Sequence, residues 1–271
     1  MAIKLIATDL DGTLLAPDHL TISERTKKSL LKAHIAGCKI AIATGRTLAF
    51  TENVTEQIPF CDYVICSDGA SVFDMHKSRD IYQNHISNKI SKEIIDLMEP
   101  MELYYTCYVE GKVLVQKDKM DFYKERNLPD KFLEYFKKIS IICESVKDEL
   151  GDRDVEIIAI YSASKKDLAT LKNYFDNHNL HTTTSIPGEI EITSTYVNKG
   201  TALENLCKVE GFDRDEVMTF GDALNDYEML DFAGSSYAMG NADERCKQIA
   251  KYITLSNAED GVAEVIENTF I

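Results

Sequence analysis

Short apolar segments recur in the first part of the chain, with polar turns between them. Ile3–Thr8 is apolar apart from Thr8 and Lys4, and similar runs cover Lys39–Ala43 and Tyr63–Cys66. Runs of four to six residues with so few polar positions are typical of strands that are covered on both faces, as in parallel sheets.

Segments with helical features separate these strands. Thr21 and Glu24 have the spacing of a capping box, which predicts a helix that ends near Gly37. A second helix is predicted over about residues 47–57. Alternation of strands and helices at this spacing predicts an α/β fold with a doubly wound parallel sheet.

The pattern changes in the middle of the chain. The strands there are short and alternate apolar with polar residues, and Glu110-Gly111 joins two of them as in an antiparallel hairpin. The predicted elements are helices over Ile86–Met98 and Lys165–His178 and strands over Leu103–Val109, Lys112–Gln116, Val155–Tyr161 and His181–Ser185. We therefore predict an inserted α+β domain over residues 84–187.

The first pattern returns after Ile186-Pro187-Gly188. Glu189–Thr193 is a predicted strand, Thr201-x-x-Glu204 is a predicted capping box, and Val217–Phe220 is a predicted parallel strand. Residues 1–83 and 188–271 should accordingly form one Rossmann-like domain around the insertion.

Composition narrows the functional classes. The 271 residues include 30 basic and 45 acidic side chains, for a net charge of −15, which disfavours a nucleic-acid partner. The odd count of seven cysteines, with no Cys-x-x-Cys pair, favours reduced thiols over a disulfide framework or a zinc site. With no signal-peptide pattern and no apolar run long enough to cross a bilayer, we expect a cytoplasmic protein without a membrane partner.

The chemistry-bearing motifs lie where strands end or helices begin. Asp9-Leu10-Asp11-Gly12-Thr13 follows the first strand, and carboxylates two residues apart on an extended chain project to the same side. Because the carboxyl ends of parallel strands form the ligand crevice of such folds, we expect Asp9 and Asp11 to face one cleft.

Three further motifs each allow a plainer reading. Thr44-Gly45-Arg46 suits an anion site at a helix start or an ordinary turn. Lys199-Gly200 is a site lysine or a solvated surface charge. Gly221-Asp222-Ala223-Leu224-Asn225-Asp226 suits a carboxylate magnesium site, or helix capping by Asp222 and Asn225.

Taken in this order, the four motifs resemble those of the haloacid dehalogenase-like phosphatase superfamily. The long insert between the second and third motifs is similar to that of the Cof-like subgroup, which carries a large α/β cap (type IIB). The resemblance implies a phosphatase that hydrolyses small phosphate monoesters, such as sugar phosphates, nucleotides or phosphorylated cofactors. A cap of this size should close over the substrate and exclude water.

The resemblance also implies roles for individual residues. Asp9 would attack phosphorus and form an aspartyl-phosphate, and Asp11 would protonate the leaving group and then activate water. For that, burial or neighbouring anions should favour the protonated form of Asp11. The phosphate would be held by the following groups: Lys199, Thr44, Asn225 and the N–H groups of Leu10 and Gly45.

A divalent cation follows from the charges. A carboxylate about 4 Å from a phosphate dianion is repelled by about 8 kcal/mol at an effective dielectric constant of 20. By resemblance the Mg²⁺ ligands are Asp9, the backbone carbonyl of Asp11, and Asp222, with Asp226 supporting them.

Asp68 and three tyrosines leave the prediction open. Asp68 stands where related proteins commonly carry asparagine, and it is either a plain turn residue or a residue that alters substrate choice. Tyr104, Tyr105 and Tyr108 either pack the hairpin or line a substrate pocket.

Three other functions compete with the phosphatase. A dehalogenase of this fold needs neither Asp11 as an acid nor the metal, and a phosphoryl-accepting regulator does not need Asp11 to activate water. A phosphomutase shares the first motif and returns the phosphoryl group to a sugar. We expect a small phosphorylated metabolite as the partner and no obligatory protein partner.

Overall fold

The computed structural model describes residues 2–101, 103–120, 130–161, 164–183 and 189–270. The chain divides into two compact units. The first is made of Met1–Gln83 and Asn198–Ile271, and the second is Asn84–Val197.

The first unit contains an eight-stranded sheet in the order β14-β13-β12-β1-β2-β3-β4-β5. Its strands are β1 (Leu5–Thr8), β2 (Lys39–Ala43), β3 (Tyr63–Cys66), β4 (Ser71–Asp74), β5 (Arg79–Gln83), β12 (Val217–Gly221), β13 (Ser235–Ala238) and β14 (Tyr252–Ile253). Neighbours from β14 through β3 are parallel, whereas β4 pairs antiparallel with both β3 and β5. The helices of this unit are α1 (Glu24–Ile35), α2 (Glu52–Thr55), α7 (Lys199–Glu210), α8 (Tyr227–Phe232), α9 (Glu244–Ile249) and α10 (Gly261–Thr269).

The central strands β1, β2 and β3 are buried on both faces of this sheet, as the apolar runs predict. In β1, Leu5 and Ala7 join one hydrophobic cluster and Ile6 joins the other. In β2, Ile40 and Ala41 likewise divide between the two clusters. Alternating side chains thus fill a core on each face, which confirms the doubly wound α/β fold.

The predicted capping boxes are wrong, although the helices predicted from them are present. α1 is capped by Ser23, whose Oγ accepts from the Thr26 N–H at 3.1 Å, while Thr21 donates its hydroxyl to Asp18. Gly37 follows the helix with φ of +95°, as expected for its end.

The segment after β2 is also less regular than predicted. A short 3₁₀ helix over Leu48–Thr51 leads into the four-residue α2, where the sequence predicted one helix over about 47–57.

The second unit contains a six-stranded sheet in the order β10-β11-β9-β6-β7-β8. Its strands are β6 (Tyr104–Val109), β7 (Lys112–Gln116), β8 (Ser140–Cys143), β9 (Ile157–Tyr161), β10 (His181–Thr183) and β11 (Glu189–Thr193). Its α-helices among the described residues are α3 (Asn88–Met98), α4 (Asp130–Ile139), α5 (Val146–Leu150) and α6 (Lys165–Asn177). All pairings are antiparallel except β7 with β8.

Glu189–Thr193 is a strand, as predicted, but it pairs with β9 and β10 of the second sheet. The prediction that it belongs to the Rossmann-like domain is therefore wrong. The boundary predicted at Ile186-Pro187-Gly188, and the end of the predicted strand at residues 184–185, lie outside the described residues.

Tyr104, Tyr105 and Tyr108 lie on β6. Tyr105 packs into the hydrophobic core of the second unit, and the rings of Tyr104 and Tyr161 lie 5.3 Å apart. These contacts favour packing as the role of the first two tyrosines. Across the described residues, no helix combines the length and apolar character needed to span a bilayer.

Candidate active site

The first motif forms a tight loop at the carboxyl end of β1. The Asp9 N–H donates to the Phe220 carbonyl at 3.0 Å, so the chain stays paired to β12 up to the aspartate. Asp9 is buried, with 5% of its surface exposed. Gly12 has φ of +85°, and a Cβ there would collide with the carboxylate of Asp222. Position 12 requires glycine, because the loop turns there with a positive φ and the side chain of Asp222, which follows β12, leaves no room for a Cβ.

Lys199 is the cation at the centre of the site. It is the first residue of α7, because Asn198 rather than Thr201 caps that helix: the Asn198 Oδ1 accepts from the Thr201 N–H at 2.7 Å. The Lys199 side chain is fully buried, and its Nζ lies 2.7 Å from Asp9 Oδ1 and 2.7 Å from Asp226 Oδ1. A buried ammonium is stable only when it is paired in this way, so the reading of Lys199 as a solvated surface charge is wrong.

Asp226 organises the turn that carries Asp222. One oxygen of Asp226 accepts from Lys199, and the other accepts from the backbone N–H groups of Asp222 and Ala223 at 2.9 and 3.0 Å. The turn is thus capped by Asp226, and not by Asp222 or Asn225. Asp222 is left with its carboxylate on the side of Gly12, where Thr13 donates a hydrogen bond to Oδ1 at 2.8 Å.

Burial and neighbouring carboxylates raise the pKa of Asp9. Burial raises the pKa of Asp9 well above its usual range, the charge of Asp226 raises it further, and Lys199 opposes both. Burial alone would lower the pKa of Lys199, but the charges of Asp226, Asp9 and Asp68 together raise it. Lys199 therefore stays charged throughout the physiological range.

The pKa of Asp222 is raised to about 6. Burial is the main cause, and the charges of Asp226 and Asp11 add to it, whereas the Thr13 hydrogen bond and Lys199 act in the opposite direction. A carboxylate with such a pKa holds its proton through mildly acidic conditions unless a cation is bound beside it.

The donor set fits a divalent cation. Asp9, Asp222 and Asp226 each offer a carboxylate oxygen, and these three oxygens lie within 4.8 Å of one another. Three carboxylates against the single ammonium of Lys199 leave an excess of two negative charges, which Mg²⁺ would balance. Because both Asp226 oxygens already accept hydrogen bonds, Asp9 and Asp222 are the better placed direct ligands, with Asp226 holding them in position.

Asp11 is a partly exposed carboxylate of the first motif. Its side chain is 41% exposed and forms a two-pronged pair with Arg46, in which Nε is 2.8 Å from Oδ2 and Nη2 is 2.6 Å from Oδ1. His19 Nδ1 lies 3.1 Å from the same Oδ1. Asp11 is therefore only partly buried, and a guanidinium holds its carboxylate.

Thr44 and Gly45 lie against the turn that follows β3. The Thr44 hydroxyl is buried and accepts from the Arg46 N–H at 3.1 Å, and the Thr44 carbonyl accepts from the Asp68 N–H at 3.1 Å. Asn225 Nδ2 donates to Asp68 Oδ1 at 2.9 Å. Thr44, Gly45 and Asn225, three of the residues predicted to hold phosphate, thus lie around Asp68.

Sequence reasoning overlooked two residues of this site. Arg46 was part of the quoted second motif but received no role, although a guanidinium two residues after a strand-end threonine is well suited to pair with a carboxylate. Thr13 was likewise quoted without a role, yet its hydroxyl orients Asp222.

A family model supports the reading of these motifs. The model of the haloacid dehalogenase-like hydrolases matches residues 6–266, which is nearly the whole chain. The chain belongs to the haloacid dehalogenase-like hydrolases.

Several curated relatives of this hydrolase are named phosphatases. It is 31% identical over 274 residues to the 5-amino-6-(5-phospho-D-ribitylamino)uracil phosphatase YitU of Bacillus subtilis, with 98% of this chain and 97% of the relative covered. It is 25% identical to the pyridoxal phosphate phosphatase YbhA of Escherichia coli, with both chains fully covered.

Solved structures agree with this assignment. A haloacid dehalogenase-like hydrolase from Bacteroides thetaiotaomicron superimposes with a TM-score of 0.83 at 27% identity, covering 98% of this chain and 99% of that one. The subclass IIB sugar phosphatase BT4131 superimposes with a TM-score of 0.78 at 25% identity, covering 99% and 100%. This hydrolase therefore has the fold of the Cof-like, cap-bearing subgroup, and phosphoric monoester hydrolysis is the activity of its named relatives.

Proposed function

We propose that this protein is a Mg²⁺-dependent phosphatase that hydrolyses small phosphate monoesters through an aspartyl-phosphate on Asp9. One observation carries the proposal: the buried Asp9 carboxylate is paired at 2.7 Å with a fully buried lysine and lies beside the carboxylate of Asp222. Attack on an anionic ester requires a nucleophile that a positive side chain orients, next to carboxylates that can bind a metal ion. Asp9, Lys199 and Asp222 have this arrangement.

Asp9 makes and breaks the bond to phosphorus. Its carboxylate oxygen attacks the phosphorus, the ester oxygen departs, and the phosphoryl group stays on Asp9 as an acyl-phosphate. Water then attacks the same phosphorus, which releases inorganic phosphate and restores the carboxylate. Lys199 aims Asp9 and pairs with phosphate charge, while Thr44, Asn225 and the N–H groups of Leu10 and Gly45 are the further candidates to hold the phosphate oxygens.

Asp11 serves both half-reactions. It would donate a proton to the departing ester oxygen and later take a proton from the attacking water. The two-pronged pair with Arg46 orients the Asp11 carboxylate, which supports the second task. The first task requires that Asp11 leave Arg46 or share that contact, so we assign Arg46 the role of positioning Asp11.

Asp9, Asp222 and the backbone carbonyl of Asp11 would hold Mg²⁺, with Asp226 fixing the Asp222 turn. When bound, the ion supplies positive charge that offsets the repulsion between Asp9 and the incoming phosphate. The excess negative charge of the site and the raised pKa of Asp222 support this assignment.

The substrate class follows from the relatives and the composition. The named relatives act on a ribityl phosphate and on pyridoxal phosphate, which are small phosphate monoesters. We extend that class to this protein, with sugar phosphates, nucleotides and phosphorylated cofactors as candidates. The free thiols of all seven cysteines support a cytoplasmic location.

The test is phosphate release from a broad panel of monoesters with and without Mg²⁺. We expect wild-type protein to release phosphate only with the metal, and Asp9→Asn to lose at least roughly a thousandfold in turnover. Asp215→Asn removes the same charge from an exposed position before β12 and should stay fully active. Circular dichroism and a cooperative unfolding transition check that Asp9→Asn is folded.

Two results would contradict the proposal. Substantial turnover by folded Asp9→Asn would show that the reaction does not pass through an aspartyl-phosphate on Asp9. Release that depends on added sugar bisphosphate would instead indicate a phosphomutase.

A further inference from the structure

Asp68 is a carboxylate beside the proposed phosphate site that the mechanism does not use. The turn that carries it is unusual, because Ser67, Asp68 and Gly69 have φ values of +51°, +52° and +98° in succession. Two consecutive non-glycine residues in the left-handed region are uncommon, and such backbone strain concentrates at functional sites.

Neighbouring motifs hold this turn on two sides. The N–H groups of Ser67 and Asp68 donate to the carbonyls of Arg46 and Thr44 at 2.9 and 3.1 Å. On the other side, a Cβ on Gly69 would collide with the carbonyl of Asn198, so the backbone packs directly against the start of α7. Asp68 is therefore fixed between the second and third motifs.

The Asp68 carboxylate borders two proposed phosphate-binding groups. Its Oδ1 accepts from Asn225 Nδ2 at 2.9 Å, and both of its oxygens lie 3.1 Å from where a Cβ of Gly45 would stand. A carboxylate only accepts hydrogen bonds, so Asn225 must present its N–H groups to it, and one N–H remains for another acceptor.

The same charge also reaches the central lysine. Asp68 is one of three carboxylates that raise the pKa of Lys199, together with Asp226 and Asp9. It thus belongs electrostatically to the site although it is not among the carboxylates that fit the cation.

We propose that Asp68 sets the affinity of the site for phosphate: its negative charge weakens the binding of phosphate dianions, so that the product phosphate is released readily. This inference rests on the proposed phosphatase function. A unit charge next to Asn225 and Gly45 repels a dianion that those groups hold, and the effect on affinity is about tenfold at a high effective dielectric constant.

Asp68→Asn isolates the charge. Asparagine has nearly the same volume, tolerates the left-handed conformation and can still accept from Asn225 through its own carbonyl oxygen. Asp215→Asn is the matched control, since it removes one exposed carboxylate before the amino end of β12, whereas the site lies beyond the carboxyl end.

The experiment measures inhibition of p-nitrophenyl phosphate hydrolysis by inorganic phosphate, and phosphate binding to Mg²⁺-loaded protein by calorimetry. We expect Asp68→Asn to bind phosphate about tenfold more tightly than wild type, and Asp215→Asn to bind it as wild type does. The difference should narrow as salt is raised, because screening weakens a charge effect and leaves a purely structural effect in place.

Every result decides the question. Unchanged phosphate affinity in Asp68→Asn would show that Asp68 is only a turn residue, and weaker binding would show that it supports phosphate binding through Asn225. Wild-type protein that neither releases nor binds phosphate would overturn the proposed function itself, and this inference with it, whereas an active wild type with an unaltered Asp68→Asn overturns the inference alone.

Discussion

Replacing Lys199 with methionine should destabilise the fold far more than the loss of an ordinary surface lysine. The variant removes the ammonium from between Asp9 and Asp226, each 2.7 Å away, at a position with no solvent exposure. At an effective dielectric constant of 20, each contact contributes about 6 kcal/mol of Coulomb attraction. Most of that is offset by the cost of burying the charges, so the free energy of unfolding should fall by about 3–5 kcal/mol.

The loss should depend on pH in a definite direction. Burial already raises the pKa of Asp9, and removing Lys199 removes an influence that lowers it. A carboxyl group whose pKa is higher in the folded than in the unfolded state costs stability as pH rises through that interval, and the cost is absent when both states are protonated. Lys199→Met should therefore be most destabilised near pH 8 and recover partly near pH 5.

Urea unfolding at pH 5, 7 and 8 measures the effect directly, with and without Mg²⁺. Lys208→Met is the matched control, because Lys208 lies on the same helix with 63% of its side chain exposed and forms a surface ion pair with Glu204. That control should change stability by less than about 0.5 kcal/mol. The electrostatic account of the site would be refuted if the free energy of unfolding fell as little in Lys199→Met as in Lys208→Met. It would also be refuted if the fall in Lys199→Met did not vary with pH.

Two further predictions concern the cation and the acid–base residue. The pKa of Asp222 is about 6 without a cation, and Asp222 must lose its proton to bind Mg²⁺. The Mg²⁺ affinity measured by calorimetry should therefore fall as the pH drops from 7 to 5. A constant affinity would contradict the role of Asp222 as a ligand. Arg46→Gln should lower kcat by roughly tenfold to a hundredfold with a smaller change in KM, because Arg46 orients Asp11 and we assign it no contact with the phosphate. A rise in KM as large as the fall in kcat would instead indicate that Arg46 binds the substrate directly.

The sheet of the first unit could be predicted because its strands have a clear pattern. β1, β2 and β3 are almost wholly apolar and bury both faces, so the sequence located their ends, and the chemical motifs follow those ends. β11 has a different pattern: Glu-Ile-Glu-Ile-Thr alternates polar with apolar residues, which is typical of an antiparallel sheet. That alternation was the available signal that Glu189–Thr193 belongs to the second sheet.

The details that escaped prediction depend on side-chain direction and backbone angles. Thr21 and Ser23 are both good capping residues within three positions, and Asn198 competes with Thr201 in the same way. Spacing cannot decide between such neighbours, because the choice depends on which residue has extended backbone angles. Similarly, the two-residue spacing of Asp9 and Asp11 predicted a shared direction on an extended chain, but the loop that begins at Leu10 is not extended, and Asp11 pairs with Arg46.

Asp9 and Lys199 are 190 positions apart in the sequence, and β1 is flanked by one strand from each segment of the first unit. During synthesis, Asp9 leaves the ribosome well before β12 and α7 exist. A nascent chain that has only reached the end of the second unit therefore has β2 but lacks both β12 and Lys199, the counter-ion of Asp9. Catalytic competence should arise abruptly, when the last quarter of the polypeptide becomes available to complete the sheet.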